Sequence, residues 1–576
     1  MTEPNPMNDQ WYVDALTTWP NLLDRQVERH GERTLFVFGD RTMSYGEFGA
    51  AVDRFAKGLI DLGVAKGDVV AIWMTNSIDW VVCQFAAYKA GAMLLPLYSY
   101  YRQSELDYAL RQAGVSTLIM ADRFLGKVDA LQIASETIPE LRSADREGFA
   151  SEKFPELKRV ILVGEGERLP GRYGFDEVGE RGAAHVSDYE LLKRQTQATP
   201  FDVMNIMYTS GTTGFPKGGM SMHVTNLATI GQWSQMAGLT PDDVILCHVP
   251  LFTNFGGLYG APLGIRNGCK VVITEQFDAA QSLRLIEEQK VTYIPGTPSM
   301  FRMILDHEDV ARRDLGTVRR GHVAGAPLTD STMRDILDVL GAEDIMQAWG
   351  LSECGGLSTV STKHHPRDKR LKSVGKPLRS ARVRIVDPDT RQELPAGTQG
   401  EIWLGDRYPG SCVGKGYFRM PEKTAETITE DGWFRTGDVG FFDDEGFLYI
   451  TGRVDDMFTV GGFNVYPAEI ENKLEKLDGV REAFIVPVAD RRLGSVPAAW
   501  IALAEGAAVA PEAIVDYCRA SMASQKTPRR VFFYRQGELP LTPAGKLKKK
   551  DLTARTAQMV EADPGIGLVG QKETQQ

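Results

Sequence analysis

Cysteine is scarce in this 576-residue sequence, and positive charge is not in excess. The six cysteines (Cys83, Cys247, Cys269, Cys354, Cys412 and Cys518) are dispersed and form no C-x-x-C pair. That spacing argues against a disulfide scaffold or a structural zinc site, and it points to a reducing, cytoplasmic setting. Lys and Arg number 65 against 76 Asp and Glu, a formal net charge of −11. A chain this acidic lacks the clustered cations that displace counterions from nucleic acid, so no nucleic-acid partner is expected. No apolar run reaches the length of a membrane span. The best stretch, Val81 to Leu97, is broken by Gln84, Lys89 and Pro96. The amino-terminal MTEPNPMNDQW has neither a basic n-region nor an apolar h-region and does not read as a signal peptide. No solenoid-type repeat is present. What remains is ordinary globular composition, 43% apolar and 24% charged, sufficient for about three to five domain-sized units.

The first 200 residues alternate helix and strand patterns. Helical spacing covers Leu22–His30 and Tyr45–Leu62, with Gly63 just past the second. Short apolar runs at Thr34–Phe38, Val69–Trp73, Met93–Leu97, Ser116–Met120 and Val160–Val163 read as strands, and Ser77–Ala90 as a helix. Residues 121–158 are charged and read as a surface excursion. The rhythm returns at Val203–Tyr208, Val244–Val249, Lys270–Ile273 and Thr292–Pro295. It predicts an α/β fold with two doubly wound sheets. Beyond Gly375 the texture becomes short strands and turns, a small β-rich unit. From Asp455 a compact α+β piece follows, with Pro467 at the first turn of a helix. The chain after about Leu552 is expected to fray.

The segment Tyr208–Gly218, YTSGTTGFPKG, follows an apolar strand and precedes a helical stretch starting near Met222. Its glycines Gly211, Gly214 and Gly218 let backbone N–H groups approach an anion. Thr209, Ser210, Thr212 and Thr213 add hydroxyl donors, and Lys217 adds a point charge for phosphate oxygens. It does not fit the Walker A pattern.

This loop resembles the signature of the adenylate-forming superfamily, which includes acyl-CoA synthetases, luciferases and the adenylation domains of peptide synthetases. Further segments agree in the family's order: Gly325–Ala326–Pro327; Gln347–Ala348–Trp349–Gly350–Leu351–Ser352–Glu353; Trp433 to Asp438; Gly452 to Asp456; Gly461–Gly462 through Glu471; and Pro540 to Lys546. The resemblance spans about residues 20–552. It implies a large domain over 1–454 holding the acid and ATP sites, a small mobile lid over 455–560 hinged at Asp455, and a disordered tail over 561–576.

The reaction so implied has two steps: a carboxylate attacks ATP to give an acyl-adenylate and pyrophosphate, then a thiol displaces AMP. The resemblance gives Lys546 the contact with the attacking carboxylate and α-phosphate, Glu353 the Mg²⁺, and Ser352 a place on the α-phosphate side. Thr209–Gly214, Lys217, Gly325–Pro327 and Gln347–Gly350 would line the nucleotide, with Trp349 stacked on adenine. Asp438 would accept from the ribose hydroxyls, Arg453 would reach ribose or phosphate, and Gly461–Gly462 would pass the pantetheine arm of coenzyme A. Val249–Gly257, Ala324–Pro327 and Trp349–Leu357 would surround the acid. In the first of these, Phe252, Thr253 and Asn254 stand where the family often has Phe-His, and glycines 256, 257 and 260 suggest room for a bulky acid. Cys354 has no histidine partner in sequence, and His364–His365 reads as a solvated loop. The implied activity is ATP-dependent ligation of a medium-to-long, branched or cyclic organic acid to coenzyme A, and a homodimer is compatible with it. Loading of a carrier protein, luciferase-like oxygenation and a non-catalytic nucleotide-binding regulator are the alternatives.

Overall fold

The computed structural model describes residues 6–126, 128–164, 169–209, 216–326, 328, 330–461, 463–535, 537–540 and 547–569. The chain forms two compact units. The first takes residues up to Val383 and Trp403–Arg435; the second takes Arg384–Ile402 and Thr436 onward.

The first unit holds two large sheets. One has nine strands, with a parallel centre made of Asp344–Trp349, Arg320–Val323, Tyr293–Gly296, Val244–Cys247, Lys270–Ile273 and Thr34–Phe38. The other has seven, in the order Lys217–Met222, Val203–Thr209, Met93–Pro96, Val69–Trp73, Thr117–Ala121, Arg159–Val163 and Tyr173–Gly174. These are the two doubly wound layers that the sequence rhythm predicts. The apolar runs become buried strands because helices cover both faces. The helix Ile78–Lys89 begins where Ser77 accepts a hydrogen bond from the Trp80 amide at 3.0 Å. It is buried on every side, and its Lys89 ammonium is held by Asp24 at 2.6 Å and Asp53 at 2.5 Å. No helix among the described residues is long and apolar enough to cross a membrane.

Residues 121–158 are not the surface excursion their charge suggests. Phe124, Ala134, Ile138, Leu141, Phe154 and Leu157 fill a core cluster with Trp73 and Leu118. The apolar residues are spaced irregularly around short helical turns, so periodicity does not reveal their common inward face.

A four-stranded sheet comprises Ala381–Val386, Gly400–Asp406, Phe434–Phe442 and Leu448–Arg453. In the second unit, Phe458–Val460, Phe463–Val465, Val480–Asp490, Gly494–Leu503 and Arg530–Phe533 form a mixed sheet. The helix Pro467–Leu474 buries Ile470 and Leu474 in that unit's core. From Leu552 to Val569 the chain does not fray. It is helical over Lys549–Ala562, Leu552 and Thr556 are buried, and the Trp500 indole donates to the Thr556 hydroxyl at 3.0 Å. Farther on, Val569 joins the core and Pro564 accepts from the Arg530 guanidinium at 2.8 Å.

Candidate active site

The phosphate-loop sequence is flanked by two strands that pair with each other. Val203–Thr209 pairs antiparallel with Lys217–Met222, and Thr209 faces Lys217 across the ladder. The expected helix starts at His223, but six residues of strand come before it, so the loop is not a strand-to-helix turn. The segment KGGMSM hides this strand because its two glycines erase the alternation by which a strand is recognised. Ser210, Gly211, Thr212, Thr213 and Gly214 lie outside the described residues.

The far side of the hairpin is covered by residues 414–418. The Phe418 amide donates to the Gly218 carbonyl at 2.8 Å, and the Met220 amide donates to Gly416 at 2.8 Å. This apposition places Tyr417 against Glu353. Glu353 is 7% exposed and sits in the 3₁₀ turn Ser352–Cys354, with Ser352 half-buried beside it. One Glu353 oxygen accepts from the Thr209 hydroxyl at 3.1 Å and from the Tyr417 hydroxyl at 3.1 Å. A Cβ on Gly219 would stand 3.0 Å from the Glu353 side chain, so glycine there makes room for the carboxylate. The Lys217 ammonium rests over the Tyr417 ring, 5.1 Å from its centroid. Among the described residues no ammonium or guanidinium pairs with Glu353; neutral hydroxyls orient it without cancelling its charge. A single oriented carboxylate fits Mg²⁺, which takes few protein oxygens and completes its shell with water and phosphate.

Tyr417 escapes the sequence reading. Its only signals are the flanking Gly416 and the helix start at Pro421, neither of which points to Glu353, 64 residues earlier.

Gln347 and Ala348 face inward. The Gln347 side chain, with its amide nitrogen turned to them, donates to the Arg370 and Ser373 carbonyls at 3.1 Å each. Ala348 is in the core, and Trp349 is half-buried at the strand end, followed by half-buried Gly350. Gly325 and Ala326 are exposed just past the strand Arg320–Val323, with Gly325 at φ +86°; Pro327 lies outside the described residues. These carboxyl ends of parallel strands are where open α/β sheets bind ligands.

In the segment assigned to the acid, Phe252 is buried against Tyr98, ring centroids 5.0 Å apart. Thr253 closes a turn. Its hydroxyl donates to the Pro250 carbonyl at 2.7 Å and accepts from the Gly256 amide at 3.4 Å. The Asn254 amide nitrogen is buried with no partner among the described groups. The glycines do not open a pocket. Cβ atoms on Gly256, Gly257 and Gly260 would run into the Pro250 and Leu251 carbonyls and the Cys247 sulfur. They serve close packing of the short helix Asn254–Gly257, a reason that sequence cannot separate from spaciousness.

In the second unit, Asp438 and Arg453 face each other across adjacent strands, with the guanidinium 3.3 Å from the carboxylate. Asp438 is 9% exposed, and its own amide donates to the Thr436 hydroxyl at 3.0 Å. Asp455 lies in the 3₁₀ turn Val454–Asp456 that separates the strand Leu448–Arg453 from the strand Phe458–Val460. Gly461 is exposed at φ +58°, and its amide donates to the Leu493 carbonyl at 2.9 Å. Gly462 and Lys546 lie outside the described residues. The ends of the segment bearing Lys546 are tied by the Lys548 amide, which donates to the Pro540 carbonyl at 2.8 Å. The lysines after Lys546 are not all surface charge as their run suggests. Lys549 pairs with Glu471 at 2.8 Å, and Glu471 also accepts from the Ile485 amide at 2.8 Å. Burial pushes the Glu471 carboxyl up despite the neighbouring ammonium.

Comparison with known proteins identifies the family. The sequence model described as AMP-binding enzyme matches residues 23–418, and that of the AMP-binding enzyme C-terminal domain matches 469–546. The chain is 33% identical, over 93% of its length and 98% of the relative's, to the 7a-methyl-1,5-dioxo-octahydroindenyl-propanoyl:CoA ligase of Rhodococcus jostii. It is 32% identical to the mitochondrial medium-chain acyl-CoA ligase ACSF2 of Danio rerio, over 95% of its own length and 90% of the relative's. Among solved structures, ATP-bound MatB from Rhodopseudomonas palustris superposes with a TM-score of 0.79 at 26% identity, covering 94% of this chain and 99% of MatB. The chain belongs to the AMP-binding enzyme family of the adenylate-forming superfamily, as an AMP-forming acid–CoA ligase.

Proposed function

We propose that this enzyme ligates a medium-to-long, branched or cyclic organic acid to coenzyme A in the cytoplasm, using the residues named above. The observation that carries the residue assignment is the triad Thr209–Glu353–Tyr417 beside Lys217 at the base of the phosphate hairpin. The cyclic or branched preference is supported by the Rhodococcus relative, whose name specifies a bicyclic propanoate. The cytoplasmic setting is supported by six free, buried cysteines.

In the first half-reaction a carboxylate oxygen bonds to the α-phosphorus of ATP, the bond to the bridging oxygen breaks, and pyrophosphate leaves. Both reactants are anionic, so the site must place positive charge where the new bond forms. Lys546 supplies that charge at the carboxylate and α-phosphate. Lys217 supplies it at the outer phosphates, its ammonium kept in place by the Tyr417 ring. Glu353 would hold Mg²⁺, which when bound offsets the charge of the polyphosphate. Thr209 and Tyr417 fix the direction of the Glu353 lone pairs. Trp349 stacks on adenine, and Asp438 accepts from the ribose hydroxyls with Arg453 alongside. In the second half-reaction the coenzyme A sulfur bonds to the acyl carbon and AMP leaves. For this step the segment from Asp455 onward turns, replacing Lys546 by the Gly461–Gly462 passage. A domain limit at 454/455 belongs to this proposal, whereas the limit at 560 falls too early, since Val569 packs in the core.

The test is pyrophosphate release across a panel of carboxylic acids, with and without coenzyme A. Release with particular acids, followed by thioester only when coenzyme A is present, is the expected result. Silence with every acid would overturn the reading in favour of a non-catalytic regulator.

A further inference from the structure

His322 lies within the strand Arg320–Val323, three residues before Gly325, and is fully buried. Its flanking strands carry Pro295 and Met346 opposite it; the second ends at Trp349. Four aromatic rings surround it: Phe255 edge-on at 4.7 Å and 88°, Trp233 at 5.1 Å, and Tyr259 and Tyr293 at 5.8 Å each. Three of them are core residues, whereas Phe255 is only half-buried and belongs to the segment that the family resemblance assigns to the acid.

The hydrogen bonds around this imidazole have a direction. Indole can only donate, so the Trp233 N–H points at the Tyr293 oxygen, 2.8 Å away. The Tyr293 hydroxyl proton then goes to His322 Nδ1, at 2.7 Å. The reverse assignment, with Nδ1 donating, would strand the tyrosine proton and leave two groups unsatisfied instead of one. Burial drives the His322 pKa down to about 3, so the ring is neutral. With Nδ1 accepting, Nε2 carries the proton, and this N–H is buried without a partner among the described residues. A stranded buried donor costs free energy that a ligand acceptor can recover.

We propose that His322 Nε2–H is a specificity determinant that donates to a neutral oxygen, a ketone or ether, carried on the apolar body of the acid away from its carboxylate, once Phe255 has yielded to the substrate. A neutral N–H does not select a second carboxylate, and the aromatic walls exclude a charged one, so the substrate class is an apolar, ring-sized acid with an uncharged acceptor. Tyr293 acts as a positioning residue that fixes the imidazole tautomer.

This inference rests on the ligase reading, and the experiment separates the two. Thioester formation is measured with 4-(4-oxocyclohexyl)butanoic acid and with 4-cyclohexylbutanoic acid, which has CH₂ in place of the ketone. The wild-type enzyme should prefer the oxo acid at least about tenfold in kcat/KM, since a site that loses a buried hydrogen-bond partner discriminates on that scale or above. His322→Phe should bring the ratio to about one. Tyr293→Phe, which leaves the imidazole in place but releases its tautomer, should lower the ratio part-way. No activity with any acid of the wider panel would overturn the ligase reading itself. Turnover of other acids but of neither probe, or of both probes without preference, overturns this inference alone. So does a ratio that His322→Phe leaves unchanged or, should that variant fail to melt cooperatively, one that Tyr293→Phe leaves unchanged.

Discussion

Two nearly buried carboxylates, one in each unit, are held in opposite ways. Glu353, 7% exposed, is oriented by two neutral hydroxyls. Asp438, 9% exposed, faces the Arg453 guanidinium at 3.3 Å. The first arrangement keeps a full negative charge available for an external cation. The second offsets the charge and leaves a carboxylate whose remaining lone pairs suit neutral donors such as hydroxyls. Similar burial therefore supports two chemistries, and the partner, rather than the depth, decides which.

The proposed roles predict that variants in the two units fail differently. Asp455→Pro should let pyrophosphate release persist with acyl-adenylate accumulating, while transfer to coenzyme A falls by orders of magnitude, because proline fixes φ where the chain must turn. Adenylate trapping beside thioester formation reads this, and normal thioester turnover would move the hinge elsewhere. Lys546→Ala should show the converse, slowing adenylation by roughly 10²–10³ while sparing thioester formation from supplied acyl-adenylate. Equal damage to both half-reactions would contradict a lysine that leaves the site. Glu353→Gln keeps the hydroxyl contacts but loses the charge, and should weaken the Mg²⁺ dependence of pyrophosphate release by roughly 100-fold. A Mg²⁺ titration that matches the wild type would remove Glu353 from the metal. Asp438→Ala should raise the KM for ATP at least about tenfold, as charged-group hydrogen bonds are worth about 1.5–3 kcal/mol each, with the Mg²⁺ titration unmoved.

A further effect, on stability alone, concerns acid. All eight histidines lie in the first unit. Burial lowers His223 and His248 to about 4 and His322 to about 3. Their folded pKa values lie below the unfolded one, so the unfolded chain binds more protons as pH falls below about 6.5, and stability is lost in that direction. Each contributes up to about 1.4 kcal/mol per pH unit. Calorimetry from pH 7 to 5 should show the first unit's transition falling while that of the histidine-free second unit holds. Transitions that fall together would refute this assignment.

The sheets were legible because their strands are unbroken apolar runs, as at Val69–Trp73, and helix ends because Ser77 and Pro467 announce them. Glu353, Asp438 and Lys217 were singled out by the motifs in which they stand, and their roles belong to the proposal above. Tyr417 and the Glu471–Lys549 pair were not, since each depends on a contact across 64 or more residues that no local pattern encodes. The hairpin was missed because glycines at 218 and 219 trade strand periodicity for space beside Glu353. The glycines at 256, 257 and 260 were misread because close packing uses the same residues as an open pocket.

The units interleave along the chain, and this constrains the order of synthesis. Residues 384–402 leave the ribosome before the remaining first-unit segment 403–435, yet pack with residues from 436 onward. At about 5–20 residues per second the intervening segment takes roughly 2–7 s to appear. For that interval Gly400–Asp406 can pair with Ala381–Val386 but waits for Phe434–Phe442, its neighbour on the other side. The amino-terminal unit thus cannot finish before the other has begun, and the nascent chain carries one open strand edge through the gap.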